Sequence, residues 1–174
     1  MFSTKRLCRA ALSTGLERER SYRPLRSVMY VPASNARALE KARNVRTDAL
    51  ILDLEDAVAP LEKDAARSAL VNILSSDGED FPFGLRTVAV RVNALDTPWG
   101  EDDVSQLSAC PGVDALVLPK TEGKDHVSNL ERLMLANGGF QKDIWCMVET
   151  PIGVLRAEEI ASALPNSRRV RCLV

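Results

Sequence analysis

One acidic residue stands at the end of the most apolar stretch of this sequence. In residues 144–155, IWCMVETPIGVL, five consecutive apolar residues run directly into Glu149. A carboxylate at the edge of a buried strand is costly unless a cation meets it. Glutamate is a hard oxygen ligand of the kind that Mg²⁺ takes, one or two at a time beside water and substrate oxygens. The pattern therefore predicts either a magnesium ligand, with a second acid on a neighbouring strand, or an ion pair with Arg91 or Lys120.

A positive charge interrupts a second apolar stretch. Arg91 lies within AVRVN, and its planar guanidinium suits bidentate pairing with a carboxylate. We expect it to face an anion, where it would stabilise charge that develops on a substrate oxygen. The alternative is an ion pair with Glu55 or Asp56, acids that could equally orient water around a metal. Lys120, in LPK, could pair with any of these acids.

Basic residues also lie on the first predicted helix. Arg37, Lys41 and Arg43 fall in NARALEKARN. A phosphorylated carrier such as coenzyme A would be attracted to this charge, but a solvated helix face explains the three residues equally well.

Several classes of function lack support in the composition. The net charge is −1 without a basic block, and no apolar run approaches the roughly 18 to 20 residues of a membrane span. We therefore expect neither a nucleic-acid nor a membrane partner. The four cysteines form no C-x-x-C pair. His126 is the only histidine, so the sequence gives little support for a Cys-His or Ser-His catalytic pair.

The first 26 residues differ from the rest. MFSTKRLCRAALSTGL contains three basic residues, four Ser or Thr and no acid. That composition predicts a mitochondrial transit peptide, and hence a mitochondrial location, while a disordered N-terminal arm is the alternative. We exclude residues 1–26 from the predicted fold, which begins at residue 27.

From residue 27 onward, apolar strands alternate with amphipathic helices, and this alternation predicts a parallel α/β sheet. Ser34 is available to cap the first helix, and the last helix should extend to Pro165. Neither G-x-G-x-x-G nor a Walker A loop occurs, so a nucleotide-binding sheet loses its main support. The predicted strands span 27–33, 48–56, 87–94, 114–120, 144–150 and 168–174.

Polar residues gather where the predicted strands end, as they do at the mouth of a TIM (β/α)₈ barrel. Strands that simply exit into polar loops would give a similar pattern. A closed barrel needs eight strands and about 250 residues. We count six strands, so the sequence predicts about six of the eight βα units.

Five stretches resemble motifs of the citrate lyase β-subunit-like family, whose members include malyl-CoA lyases and the mitochondrial citramalyl-CoA lyase. The resemblance implies a TIM barrel, an acyl-CoA substrate, Mg²⁺ and a homotrimer. The stretches are RSVMYVPASNARALEKA, DALILDLEDAVAPLEKDAAR, VAVRVNALDTPWGEDDV, ALVLPKTE and VETPIGVL.

The resemblance also implies roles for individual residues. Glu149 corresponds to the metal ligand, and Arg91 corresponds to the arginine that binds the substrate. Tyr30, Arg37 and Lys41 correspond to positions that contact substrate and coenzyme A. The implied reaction cleaves a carbon–carbon bond beside a CoA thioester. Citramalyl-CoA would give acetyl-CoA and pyruvate, and malyl-CoA would give acetyl-CoA and glyoxylate.

The second metal ligand of this family is an aspartate that would lie beyond residue 174. We therefore expect the 174-residue chain to have negligible lyase activity alone. Two alternatives stay open: a condensing enzyme of the malate synthase type, and a non-catalytic truncated isoform.

Overall fold

The computed structural model describes residues 24–76, 81–84, 86–164 and 170–174. Its strands are β1 (Val28–Pro32), β2 (Ala49–Asp53), β3 (Thr87–Arg91), β4 (Ala115–Leu118), β5 (Asp143–Cys146) and β6 (Val170–Leu173). Its α-helices are α1 (Ala36–Ala42), α2 (Lys63–Leu74), α3 (Gly100–Leu107), α4 (Lys124–Ala136), α5 (Pro151–Leu155) and α6 (Ala157–Ala161), and a 3₁₀ turn at Pro60–Glu62 precedes α2.

The six strands form one parallel sheet in the order β1-β2-β3-β4-β5-β6. A doubly wound sheet reverses its order at a switch point, and no reversal occurs among these strands. Parallel crossovers are almost always right-handed, so a sequential order places all the helices on the same side of the sheet. That arrangement is the wall of a (β/α)₈ barrel.

The packing of the two sheet faces confirms this architecture. The outer face packs against the helices in one large apolar cluster, in which Leu50 and Val90 of the sheet meet Leu70 of α2 and Leu130 of α4. The inner face forms a separate cluster that contains no residue of the described helices. Its buried members are Ala49, Ile51, Ala89, Ala115, Val117, Trp145 and Met147.

The strands end earlier than the sequence predicts, and after β2 a side chain turns the backbone away from the sheet. After β2, the Asp53 carboxylate accepts hydrogen bonds from the main-chain N–H groups of Glu55, at 2.8 Å, and Ala57, at 3.2 Å. The residues that follow the strand therefore form a turn over the barrel mouth. Residues 168 and 169 of the sixth predicted strand lie outside the described residues.

Two helix predictions were wrong. Asn35, and not Ser34, caps α1, since its side-chain oxygen accepts the N–H of Ala38 at 3.0 Å. The last predicted helix is divided at Arg156, whose ψ of 18° leaves the helical region and whose N–H is shared by the carbonyls of Ile152 and Gly153. Pro165 itself lies outside the described residues.

Two glycines close the carboxyl end of α4. Gly138 has a φ of +84°, and the N–H of Gly139 donates to the carbonyl of Met134 at 2.7 Å. This is the left-handed closure that glycine adopts without steric cost.

The predicted transit peptide lies outside the described residues up to residue 23, and it stays a prediction. Arg26 contacts the folded part, because its Nη2 pairs with Asp48 Oδ1 at 2.7 Å. None of the helices in the described ranges has the length and apolarity required to span a bilayer.

A glycine substitution tests the packing of α3 against the end of β3. A Cβ at Gly100 would lie 2.3 Å from the carbonyl oxygen of Ala94 and 2.9 Å from that of Asn93. We expect Gly100→Ala to lower the free energy of unfolding by about 2 kcal/mol, since rigid main chain must shift. Urea denaturation measures the change.

Gly123→Ala is the matched control, because its nearest neighbours would lie 3.5 Å from the new Cβ. It should change stability by less than about 0.5 kcal/mol. Equal effects of the two substitutions would contradict the packing described here.

Candidate functional site

Charged side chains from three strand ends meet at one edge of the sheet. We call this group the arginine cluster: Asp53, Glu55, Asp56, Arg91 and Lys120. The cluster lies at the carboxyl ends of β2, β3 and β4, where the active sites of (β/α)₈ barrels lie.

The centre of the cluster is a bidentate pair between neighbouring strands. Arg91 donates from Nε to Asp53 Oδ1 at 2.7 Å and from Nη2 to Asp53 Oδ2 at 2.5 Å. The two residues are direct register partners of β2 and β3, and both side chains are buried. Burial by itself would lower the pKa of Arg91, but the hydrogen bonds and charge of Asp53 outweigh it and raise that pKa.

The remaining side of the guanidinium faces two more acids. Arg91 Nη1 lies 3.0 Å from Glu55 Oε2 and 3.2 Å from Asp56 Oδ2. Pairing with Glu55 or Asp56 was the alternative that the sequence left open. The structure adds Asp53, which sequence reasoning missed because it ends an otherwise apolar strand. The available signal was an acid embedded in one strand next to an arginine embedded in the following one.

Glu55 is held between two cations. Lys120 donates a hydrogen bond from Nζ to Glu55 Oε1 and lies 3.8 Å from Asp56 Oδ1. Burial raises the pKa of Glu55, while the hydrogen bond from Lys120 and the charge of Arg91 oppose the increase. The hydrogen bond to Glu55 in turn raises the pKa of Lys120.

Glu149 adjoins this cluster, but it is not at the edge of a buried strand. The strand β5 ends at Cys146, and Glu149 is exposed. Its Oε1 accepts the main-chain N–H of Lys120 at 2.9 Å, and it forms no ion pair within the described ranges. The predicted burial cost was therefore wrong, because the backbone leaves the sheet before it reaches this residue.

Tyr30 lies beside the cluster on β1. Its ring centroid is 5.5 Å from the Arg91 guanidinium carbon, and its hydroxyl is 3.9 Å from the sulfur of Met147. Burial raises the pKa of the Tyr30 hydroxyl. Tyr30 and Arg91 therefore lie together, and Glu149 adjoins the same cluster through Lys120. The roles that the resemblance implies for these three residues stay predictions.

Arg37 and Lys41 do not join them. Both are exposed on α1, and within the described part of the chain neither forms a salt bridge with the arginine cluster. Their assignment to coenzyme A stays a prediction.

Two buried polar side chains, Lys63 and Asn93, donate hydrogen bonds to main-chain carbonyls of the loop after β2. Lys63 donates from Nζ to the carbonyls of Leu54, at 2.8 Å, and Glu55, at 2.7 Å. Asn93 also donates to the Leu54 carbonyl, and its amide is fixed by Asp103. Burial lowers the pKa of Lys63. The sequence pattern gave no sign of this role, because Lys63 belongs to the polar set of an amphipathic helix.

The charges at the mouth favour a cation. Two cationic side chains, Arg91 and Lys120, face the three acids of the cluster, and Glu149 adds a fourth. When all are ionised, these four acids exceed Arg91 and Lys120 by two charges, and the nearby ammonium group of Lys63 offsets part of this excess. Among the described residues, no three His, Cys, Asp or Glu surround a common metal position. The exposed Glu149 fits Mg²⁺ as a single carboxylate ligand, since this ion keeps water and substrate oxygens in its remaining positions.

Comparison with known proteins identifies the family. The model of the HpcH/HpaI aldolase/citrate lyase family matches residues 26–174. The chain belongs to this family. The resemblance found in the sequence motifs is confirmed.

Curated relatives of this family match over about half their own length. A (3S)-malyl-CoA thioesterase of Cereibacter sphaeroides is 42% identical over 80% of this chain and 45% of the relative. The citrate lyase subunit beta of Escherichia coli is 34% identical over 83% of this chain and 48% of the relative.

Solved structures of the family share the fold. RipC from Yersinia pestis has a TM-score of 0.63 at 31% identity, over 85% of this chain and 56% of that one. The protein CitE from Mycobacterium tuberculosis, solved with magnesium and acetoacetate, has a TM-score of 0.56 at 31% identity, over 79% and 50% of the two chains.

A pair of substitutions tests the buried ion pair. We expect Asp53→Asn to lower the free energy of unfolding by about 3 kcal/mol, because it leaves the buried Arg91 charge without its bidentate partner. Asp56→Asn removes an acid from the same guanidinium, but the Asp56 side chain is 66% exposed. It should cost less than about 1 kcal/mol. Urea denaturation measures the free energy of unfolding of both variants. Similar losses of stability would show that Asp53 is not the main partner of Arg91.

A second test concerns the pKa of Glu55. Replacing Lys120 by methionine removes the hydrogen bond that opposes the effect of burial, so the pKa of Glu55 should rise further. The protonated form of a carboxyl with a raised pKa stabilises the folded chain at low pH. That stability is lost as the pH rises through the folded-state pKa, and the loss should be larger in the variant.

Carbon-13 NMR of the Glu55 carboxyl between about pH 3 and pH 8 measures this pKa directly. Lys124→Met, at the exposed start of α4, is the control and should leave it unchanged. A lower pKa in Lys120→Met would show that Lys120 does not act on Glu55 as described.

Proposed function

We propose that this chain carries the metal-binding and substrate-facing side of a Mg²⁺-dependent carbon–carbon lyase. Its substrate would be a 3-hydroxy-acyl-CoA thioester such as citramalyl-CoA or malyl-CoA, and its products would be acetyl-CoA and a 2-oxo acid. The observation that carries the proposal is the excess of acids at the barrel mouth, with Glu149 exposed beside the arginine cluster. Two relatives support it: one is named a (3S)-malyl-CoA thioesterase, and the structure of another, CitE, was solved with magnesium.

Glu149 is the residue that would hold the metal. Magnesium bound there would supply Lewis acidity, which eases loss of the proton from a coordinated hydroxyl group. Glu149 is suited to this place because its carboxylate is exposed and is oriented through one oxygen by the Lys120 amide. Asp53, Glu55 and Asp56 are less available, since each pairs with Arg91.

Arg91 would bind the oxygen on which negative charge develops. Its Nε and Nη2 are committed to Asp53, which fixes the plane of the guanidinium. Its Nη1 shares a longer contact, 3.2 Å, with the exposed Asp56. A substrate oxygen can replace Asp56 there at little cost, while Asp53 keeps the group oriented for electrostatic stabilisation. Tyr30 would form the adjoining wall of the substrate site.

Hydrolysis of a CoA thioester is a second candidate, and one observation favours it. The relative at 42% identity is named a (3S)-malyl-CoA thioesterase. Product analysis after incubation with malyl-CoA and Mg²⁺ separates the two reactions, because a lyase releases acetyl-CoA and a thioesterase releases free coenzyme A. A malate synthase from Haloferax volcanii has a TM-score of 0.70, but at 20% identity it shares the fold alone.

Metal binding is the property to measure first. We expect isothermal titration calorimetry to show Mg²⁺ binding to this chain, weakened about tenfold or more in Glu149→Gln, because an amide oxygen carries no charge. Glu158→Gln, a neutralised and exposed glutamate on α6, is the control and should bind Mg²⁺ as the parent chain does.

Two results would contradict the proposal. One is an absence of Mg²⁺ binding to the parent chain. The other is an equal loss of affinity in Glu149→Gln and Glu158→Gln, which would show that only the general negative charge attracts the ion.

A further inference from the structure

Lys120 has an unusual backbone conformation for a long side chain. Its φ is 47°, and it is the one non-glycine residue with positive φ in the described part of the chain. Residues other than glycine, asparagine and aspartate rarely adopt this left-handed region, which persists only where surrounding contacts impose it.

Those contacts come from Met147, the residue that follows β5. The N–H of Met147 donates to the carbonyl of Leu118 at 2.9 Å, and the carbonyl of Met147 accepts the N–H of Thr121 at 3.0 Å. Both ends of the turn that contains Pro119 and Lys120 are therefore bonded to this single residue. The Thr121 hydroxyl also donates to the Leu118 carbonyl, at 3.0 Å, and closes the turn.

The helix after Glu149 packs on the same turn. A Cβ at Gly153 of α5 would lie 2.5 Å from the carbonyl oxygen of Thr121. Glu149 thus lies between Met147 and α5, which both contact the turn. Its position relative to Lys120 is set by the fold on both sides.

Lys120 uses this conformation to hold two different acids. Its main-chain N–H donates to Glu149 Oε1 at 2.9 Å, and its ammonium group binds Glu55 within the arginine cluster. One residue therefore connects the exposed carboxylate with the buried cluster around Arg91.

We propose that Lys120 is a positioning residue for the reaction proposed above, and that its left-handed backbone holds the Glu149 carboxylate in place for the metal. This inference rests on the proposed function, since Lys120 would hold Glu149, the residue proposed there as the metal ligand. The side chain of Lys120 is not required for this role, whereas its φ is.

Lys120→Gly and Lys120→Ala separate the backbone from the side chain. Both remove the ammonium group, whose bond to Glu55 helps to hold this residue at positive φ in the parent chain, but only glycine then keeps positive φ without steric cost. We expect Lys120→Gly to bind Mg²⁺ at least as tightly as the parent chain, and Lys120→Ala to bind it about three- to tenfold more weakly than Lys120→Gly. Calorimetric titration measures both, and thermal unfolding confirms that both variants are folded.

The outcomes distinguish this inference from the proposed function. If Glu149→Gln weakens Mg²⁺ binding but the glycine and alanine variants bind equally, the role of Lys120 is wrong and the metal ligand stands. If Glu149→Gln has no effect, the metal ligand itself is wrong, and the inference falls with it.

Amide hydrogen exchange gives a readout that requires no metal. In the parent chain, exchange at the Lys120 amide should be slowed by its bond to Glu149 and should accelerate in Glu149→Ala. The Thr121 amide, bonded to the Met147 carbonyl, should keep its protection and serves as the internal control. An unchanged exchange rate at Lys120 would show that Glu149 is not held by this amide, and would overturn the inference.

Discussion

The buried pair between Asp53 and Arg91 is the constraint on which the site depends. A guanidinium removed from water must be matched by acids in good geometry, or the cost of burial exceeds the attraction. Asp53 meets this need from the adjacent strand, and the same carboxylate binds two main-chain N–H groups of the loop that follows. Lys63 binds the carbonyls of that loop from the other side. The position of Glu55 therefore follows from the partner that Arg91 requires.

This arrangement determines what kind of ligand the mouth can accept. Each nitrogen of the Arg91 guanidinium faces an acid of its own chain, so a free anion meets no unpaired guanidinium there. In the proposed function, the excess of acids would attract Mg²⁺ first, and the ion would then supply the positive charge that an anionic substrate needs. The weakly held contact between Arg91 and the exposed Asp56 is the one that such a substrate can replace. Charge balance would thus favour the binding of Mg²⁺ before the proposed substrate.

Much of the fold could be predicted from the sequence, but the supports of the site could not. Alternating strands and helices gave the parallel sheet, and Arg91 within an apolar strand indicated buried pairing. Asp53 was missed because, on sequence alone, it belongs to a run of strand residues, and only the register with β3 places it beside Arg91. The left-handed conformation of Lys120 was beyond prediction as well. It is imposed by Met147, 27 positions along the chain, and no local pattern of residues encodes a contact of that range.

The inner face of the barrel wall divides the site into a polar and an apolar side. Along one row of register partners, Asp53 and Arg91 are followed by Val117 of β4 and Trp145 of β5. The buried pair of Asp53 and Arg91 therefore borders buried apolar side chains, and a low local dielectric strengthens the contact between these two residues. A substrate with a charged hydroxy-acid end and a neutral thioester matches such a division. The wall thus supports the proposed chemistry through its apolar residues as well as its charged ones.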